Sequence, residues 1–169
     1  PHTYNEDGLL KYKDNVMFMN KQTNAYLVFD MDDKITSVDE AYACTATKDG
    51  SVGPCGRSVL YVESVNNLPT PPSTCAMEMM SASLQIHNFP QAIVFALLQL
   101  TPQIFARFSR NAEVCLSAKA NYNTVWKILP PDGPTSPLLG KPVQANTEMW
   151  IEHCATRFLL FNDEINYGN

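Results

Sequence analysis

The chain has 169 residues, a formal net charge of −5, 45% apolar and 17% charged residues, and twelve prolines. That length fits one domain that buries about two thirds of its unfolded surface, and the composition excludes a disordered chain. No Lys/Arg run occurs, which argues against nucleic acid or anionic lipid as partner. From the N-terminus, VMFM (16–19) and AYLVF (25–29) flank the turn-forming NKQTN and predict a hairpin. TSVDEAYACTAT (36–47) reads as strand or short helical turn. KDGSVGPCG (48–56) reads as a loop, and RSVLYVES (57–64), β-branched and alternating, as a strand.

VNNLPTPPSTC (65–75) is too punctuated to continue a sheet, and the Met-rich stretch after it has no clear period. In the apolar run 90–108, Pro90 and Pro102 suit the start and end of a helix, while IFARF suits a strand equally well. The run is too short and too broken by prolines and glutamines to span a bilayer as a helix. AEVCLSAKA (112–120) and TVWKIL (124–129) predict strands, and PPDGPTSPLLGKP (130–142) a loop. TEMWIEH (147–153) and RFLLFND (157–163) predict a second hairpin. Short strands with frequent turn signals indicate an all-β sandwich or barrel.

An internal repeat narrows this. DNVMFMNKQTNAYLVFD (14–30) aligns without gaps on NTEMWIEHCATRFLLFN (146–162), a step of 132 that sets Phe18 on Trp150, Leu27 on Leu159 and Phe29 on Phe161. A degenerate copy runs from Phe105 to Leu116, matching the spacing of Val16 and Leu27. Three hairpin units, two of them followed by a further strand (RSVLYV, VWKIL), describe a mainly β protein, a β-trefoil. The competing reading is two chance-similar hairpins in a sandwich. The trefoil predicts one core from Val16, Phe18, Leu27, Phe29, Phe105, Leu116, Trp126, Trp150, Leu159 and Phe161. A single domain over 1–169 follows, with repeats at about 8–64, 101–130 and 140–169 and a partly helical or irregular insertion at 65–100. The start at Pro1 leads us to expect a fragment of a longer chain, and no signal peptide is seen.

The chemistry-bearing residues read plainly. Cys44, Cys55, Cys75, Cys115 and Cys154 are odd in number with no CxxC pair, so reduced thiols in a cytosolic compartment are expected. His2, His87 and His153 are scattered, without metal-ligand spacing. DMDDKITSVDEA (30–41) places Ile35 and Ala41 where a calcium loop needs Gly and Glu, which favours a solvated hairpin exit. Gly50, Gly53 and Gly56 precede a strand where a phosphate-cradling loop needs a helix. His153 and Cys154 are neighbours that cannot pair on a strand and read as turn residues; Cys115 reads as a small packed hydrophobe. Met77, Met79 and Met80 suit either an adaptable contact surface or core packing. No acid–base pair, activated nucleophile or cofactor motif stands out, and no cofactor or metal is expected.

EDGLLKYKDNVMFMN (6–20), DMDDKI, GPCGRSVLYVESV (53–65), CLSAKA (115–120), VWKILPPD (125–132) and above all GKPVQANTEMWIEHCATRFLLFND (140–163) resemble the cilia- and flagella-associated protein 161 family. Its domain is trefoil-like and related to MIR modules. The likeness covers about two thirds of the chain and departs at 66–100, where this chain is longer and rich in Pro and Met. It implies a structural, non-enzymatic microtubule inner protein of the ciliary or flagellar axoneme. Such a protein sits in the A-tubule lumen of doublet microtubules, bound to tubulin and neighbouring inner proteins, with no nucleic acid and no membrane. A ligand-binding trefoil for a sugar or a phosphate is the competing function. It needs polar side chains converging around an aromatic platform in each repeat, and no such repeated set is seen.

Overall fold

The computed structural model describes residues 5–12, 14–35, 41–49, 53–64, 82–86, 95–99, 105–106, 109–117, 122–163 and 165. The chain is mainly β. Its strands are β1 (Asn15–Val16), β2 (Met19–Asn20), β3 (Ala25–Lys34), β4 (Ala41–Thr47), β5 (Leu60–Ser64), β6 (Ala82–Ile86), β7 (Phe95–Gln99), β8 (Val114–Ser117), β9 (Trp126–Leu129) and β10 (Trp150–His153). Among the described residues the helical content is one 3-10 turn, Tyr122–Thr124.

Eight strands form one antiparallel sheet in the order β1-β5-β6-β7-β8-β4-β3-β2, and β9 pairs with β10. The two edges of the large sheet are β1 and β2, which are separated in the chain by Met17 and Phe18 alone. A sheet whose edges lie that close must curl, and the result is a curled antiparallel half-barrel. Curling is also how an all-β chain limits exposed, unpaired strand edges. Further bonds draw the wall together: Leu10 N–H donates to Val143 O at 2.8 Å, Ala145 N–H to Gly8 O at 2.9 Å, and Phe29 N–H to Arg57 O at 2.8 Å.

The core lies inside this curl. Leu10, Phe29, Leu60, Val62, Leu116, Trp126, Ile128 and Val143 are buried together, with Tyr12, Val16, Phe18, Leu27, Met149, Ile151 and Leu160 partly buried against them. Residues from the first hairpin, β5, β8, β9 and the third hairpin meet there.

Two expectations are corrected. Residues 82–86 and 95–99, inside the stretch expected to be helical or irregular, are strands at the centre of the large sheet. ASLQI alternates with period two, but it is short and follows an aperiodic stretch, while FALLQ is an apolar run whose period does not separate strand from helix. The open sides of β5 and β8 decide the matter: β6 pairs on β5 with Val62 opposite Leu84, and β7 on β8 with Leu97 opposite Leu116. The Met-rich positions 77, 79 and 80 lie outside the described residues. The second correction concerns the core: Phe105, Trp150, Leu159 and Phe161 are exposed. Its cause is an error in repeat register, of one residue for Trp150, Leu159 and Phe161 and of three for Phe105 (106 − 20 = 86 against 105 − 16 = 89), apparent once the hairpin tips are compared.

Candidate interaction surface

Three hairpin tips share one backbone design. In each, a residue i accepts a bond from the amide of i+4, which has positive φ, and i−1 stands opposite i+6. The first tip has Asn24 N–H on Asn20 O at 2.8 Å, with φ 54° at Asn24 and Met19 opposite Tyr26. The second has Arg110 N–H on Ala106 O at 3.1 Å, with φ 62° at Arg110 and Phe105 opposite Ala112. The third has Arg157 N–H on His153 O at 2.8 Å, with φ 65° at Arg157 and Glu152 opposite Leu159. The first and third also share a bond two residues further in: Leu27 N–H on Phe18 O at 2.9 Å and Leu160 N–H on Ile151 O at 2.8 Å.

His153 therefore corresponds to Asn20, a step of 153 − 20 = 133 rather than 132. In that register Val16 falls on Met149, Phe18 on Ile151 and Leu27 on Leu160, and all six pack against the core. Side chains on a strand alternate between faces, so the slip of one residue exchanges inside for outside. Leu159 and Phe161 are 40% and 56% exposed for this reason. Trp150 is 39% exposed and lies over Gly133, whose added Cβ would meet its ring at 3.4 Å. Phe105 immediately precedes its tip, as Met19 precedes the first, and the two are 55% and 49% exposed. Of the predicted core, Phe29, Leu116 and Trp126 are fully buried and Val16, Phe18 and Leu27 are partly buried.

The tips are tied to one another through the outgoing arm of the third hairpin. Thr23 Oγ1 donates to Asn162 Oδ1 at 3.1 Å, and Asn111 Nδ2 to Asp163 Oδ2 at 3.0 Å. Lys21 pairs with Glu148. The same arm exposes Phe158, Leu159, Phe161 and Ile165, with Trp150 exposed on the incoming strand. Monomeric surfaces carry single exposed apolar side chains as a matter of course, and four within eight residues is a concentration above that.

A cleft of about 450 Å³ opens beside the first hairpin, lined by Phe29, Asp30, Thr45, Thr47, Cys55 and Arg57 among others. Its floor is a turn tied by Ser58, whose amide and Val59's both donate to Cys55 O at 3.0 Å and whose Oγ donates to Gly53 O at 3.0 Å. The chain leads from this turn into β5, so the glycine loop ends in a strand. Hydrogen bonding from Ser58, with smaller help from backbone amides and Arg57, holds the exposed Cys55 thiol below the usual range. Burial pushes Cys44 far above it and Cys115 up to about 12, and raises Cys154 as well. Buried thiols of that kind are inert.

The acidic run at 30–33 has a structural explanation. Between Asp30 and Lys34 the register of β3 on β4 shifts, so three residues bulge from the ladder. The bulge is fastened by Asp32 N–H on Asp30 Oδ1 at 3.0 Å and by an Arg57–Asp32 ion pair at 3.0 Å. Among the described residues no group of three or more His, Cys, Asp or Glu is gathered to hold a metal. His153 is fully buried, with its ring 4.8 Å from that of Trp126, and its structural part is larger than that of a turn residue. Sequence reading missed this because a histidine beside a turn looks solvent-facing until its strand is known to have a buried side there.

No family model and no curated protein matches this sequence. A solved structure does match in fold: a Caenorhabditis elegans structural-genomics protein with unknown function is similar at a TM-score of 0.69. The match covers 96% of this chain and 84% of that one at 12% identity. At that identity the likeness concerns the fold alone.

Proposed function

We propose that this chain is a non-catalytic β-trefoil binding module, a structural microtubule inner protein held against the lumenal wall of ciliary A-tubules and against neighbouring inner proteins. Three tips of one design, joined at one cap around a common core, support the trefoil reading. The observation that carries the binding role is the apolar arm of the third hairpin, with Phe158, Leu159 and Phe161 exposed in succession with only Leu160 turned inward. Phenylalanine is among the residue types enriched at protein interfaces. The ciliary partner follows from the likeness of 140–163 to the family named above, and this arm lies within that stretch. The lumenal wall lacks tubulin's acidic tails, so a chain of net charge −5 meets little repulsion there.

The test is co-sedimentation with purified doublet microtubules beside microtubules assembled from cilium-free lysate. Retention on doublets alone is expected, and Phe158→Ser with Phe161→Ser should weaken it by about tenfold or more while leaving the unfolding midpoint nearly unchanged. Equal retention of the double variant, or none of the wild type, would remove this reading.

The cleft favours a second reading, a ligand-binding trefoil for a sugar or a phosphate. Its size suits a small molecule, and Asp30, Thr45, Thr47 and Arg57 offer polar contacts. Micromolar binding in a calorimetric titration, lost in Thr45→Val, would establish it.

A further inference from the structure

Both ring nitrogens of His153 are committed, and the chemistry of their partners fixes the proton. Nε2 lies 3.0 Å from the carbonyl oxygen of Asn123, which only accepts, so Nε2 carries the hydrogen. Nδ1 lies 3.3 Å from the backbone nitrogen of Thr156, which only donates, and 2.9 Å from Thr156 Oγ1. Nδ1 is therefore a bare lone pair receiving two donors. The ring is 0% exposed and packs on Trp126. One neutral imidazole thus joins the 3-10 turn, β9 and the loop of the third hairpin. A second proton would set an N–H against the Thr156 amide, oblige the Thr156 hydroxyl to turn from donor to acceptor, and leave a charge where water does not reach.

We propose that His153 is an acid-released latch: a proton on Nδ1 breaks the contact with the Thr156 amide and loosens the third hairpin, while the large sheet stays closed. Among the described residues the surroundings supply no compensating charge. On its own strand Glu152 points to the opposite face, where Lys127 stands across from it and Arg157 Nε lies 3.0 Å from its Oε1 without an aligned hydrogen bond. Cys154, next in the chain, has a thiol raised by burial and is neutral. From β9 the ring meets Trp126, and from the 3-10 turn the Asn123 carbonyl. Burial lowers the proton affinity of His153, the Asn123 carbonyl raises it by less, and no charged side chain among the described residues contributes. The latch differs from the first tip, where Asn20 does the corresponding work with a side chain that does not titrate.

Amide exchange of the whole chain at pH 7.5 and 5.5, corrected for intrinsic rates, tests this. The amides of Cys154, Arg157 and Leu160, bonded to Val125 O, His153 O and Ile151 O, should lose protection by up to about tenfold per pH unit below 6.5, the limit for one proton. Those of Leu27 and Phe29 should keep theirs. Thr156→Val removes one of the two donors to Nδ1 and should move the His153 titration, followed by NMR, towards the ordinary value. His153→Gln keeps a donor for Asn123 and should flatten the pH response. If that variant fails to fold, the wild-type exchange profile and the Thr156→Val titration decide. Equal loss of protection in both hairpins, or a His153 titration that Thr156→Val leaves unmoved, overturns the latch.

Discussion

The first and third hairpins follow the same backbone path but are fastened by different chemistry. At the first tip Asn20 Oδ1 accepts from the amides of Gln22 and Thr23 at 2.9 and 3.0 Å, on a partly exposed loop. At the third, the buried imidazole of His153 receives Thr156 and reaches across to Asn123. The path is set by the curl of the sheet and the residue held at positive φ, and each tip then satisfies its own polar groups with whatever side chain its sequence supplies. Repetition in a backbone therefore does not require repetition in the residues that hold it.

The comparison is broken most sharply at the two tryptophans. Sequence alignment treats both as core, whereas the structure buries Trp126 and leaves Trp150 39% exposed. Trp126→Ala should cost about 3–5 kcal/mol in urea unfolding, and Trp150→Ala no more than about 1 kcal/mol. Equal costs would restore the register of 132.

Next come the fastenings. Asn20→Ala should cost about 1 kcal/mol at both pH 5.5 and 7.5, because an amide does not titrate. His153→Ala should cost about 1–3 kcal/mol at pH 7.5, where it withdraws the Nε2 donor from the Asn123 carbonyl and the ring from Trp126, and less at pH 5.5. The sign follows from burial. His153 has a folded value below its unfolded 6.5, so its contribution is complete above 6.5 and declines as the pH falls towards the folded value. Paired unfolding curves at the two pH values measure the difference.

The smallest effect concerns strain. Arg110 adopts φ 62°, which L-residues avoid and glycine does not. Arg110→Gly should raise stability by about 0.5–1 kcal/mol. Arg157→Gly should gain less, since Arg157 also accompanies the buried Glu152 carboxylate. A loss of stability in Arg110→Gly would show that its side chain holds the second tip.

Much of this was legible in residues. The first and third hairpins, β5, β8 and β9 follow from alternation and turn chemistry, and the similarity of 14–30 to 146–162 is real. What sequence left open was phase. Met17 on Met149 and Leu27 on Leu159 are identities that favour a step of 132, but identity between residues on opposite faces carries no spatial meaning. Hydrogen bonds at the tips set the step at 133. β6 and β7 stayed hidden because a short strand wedged between others is specified by its neighbours' unpaired edges more than by its own pattern. On the outgoing arm of the third hairpin, the aromatic residues of 158–161 were visible, but reading them as interior concealed their exposure.

The bridge between Leu9 and Gln144 has a consequence for how the chain reaches this state. Its two sides are 144 − 9 = 135 positions apart, so on a ribosome adding about 5–20 residues per second the early segment waits roughly 7 to 27 seconds for its mate. Pairing of these two segments is then a late event in biogenesis. Until it happens the nascent Leu10 has no Val143 to shelter it, and its apolar side chain stays open to contacts outside the fold.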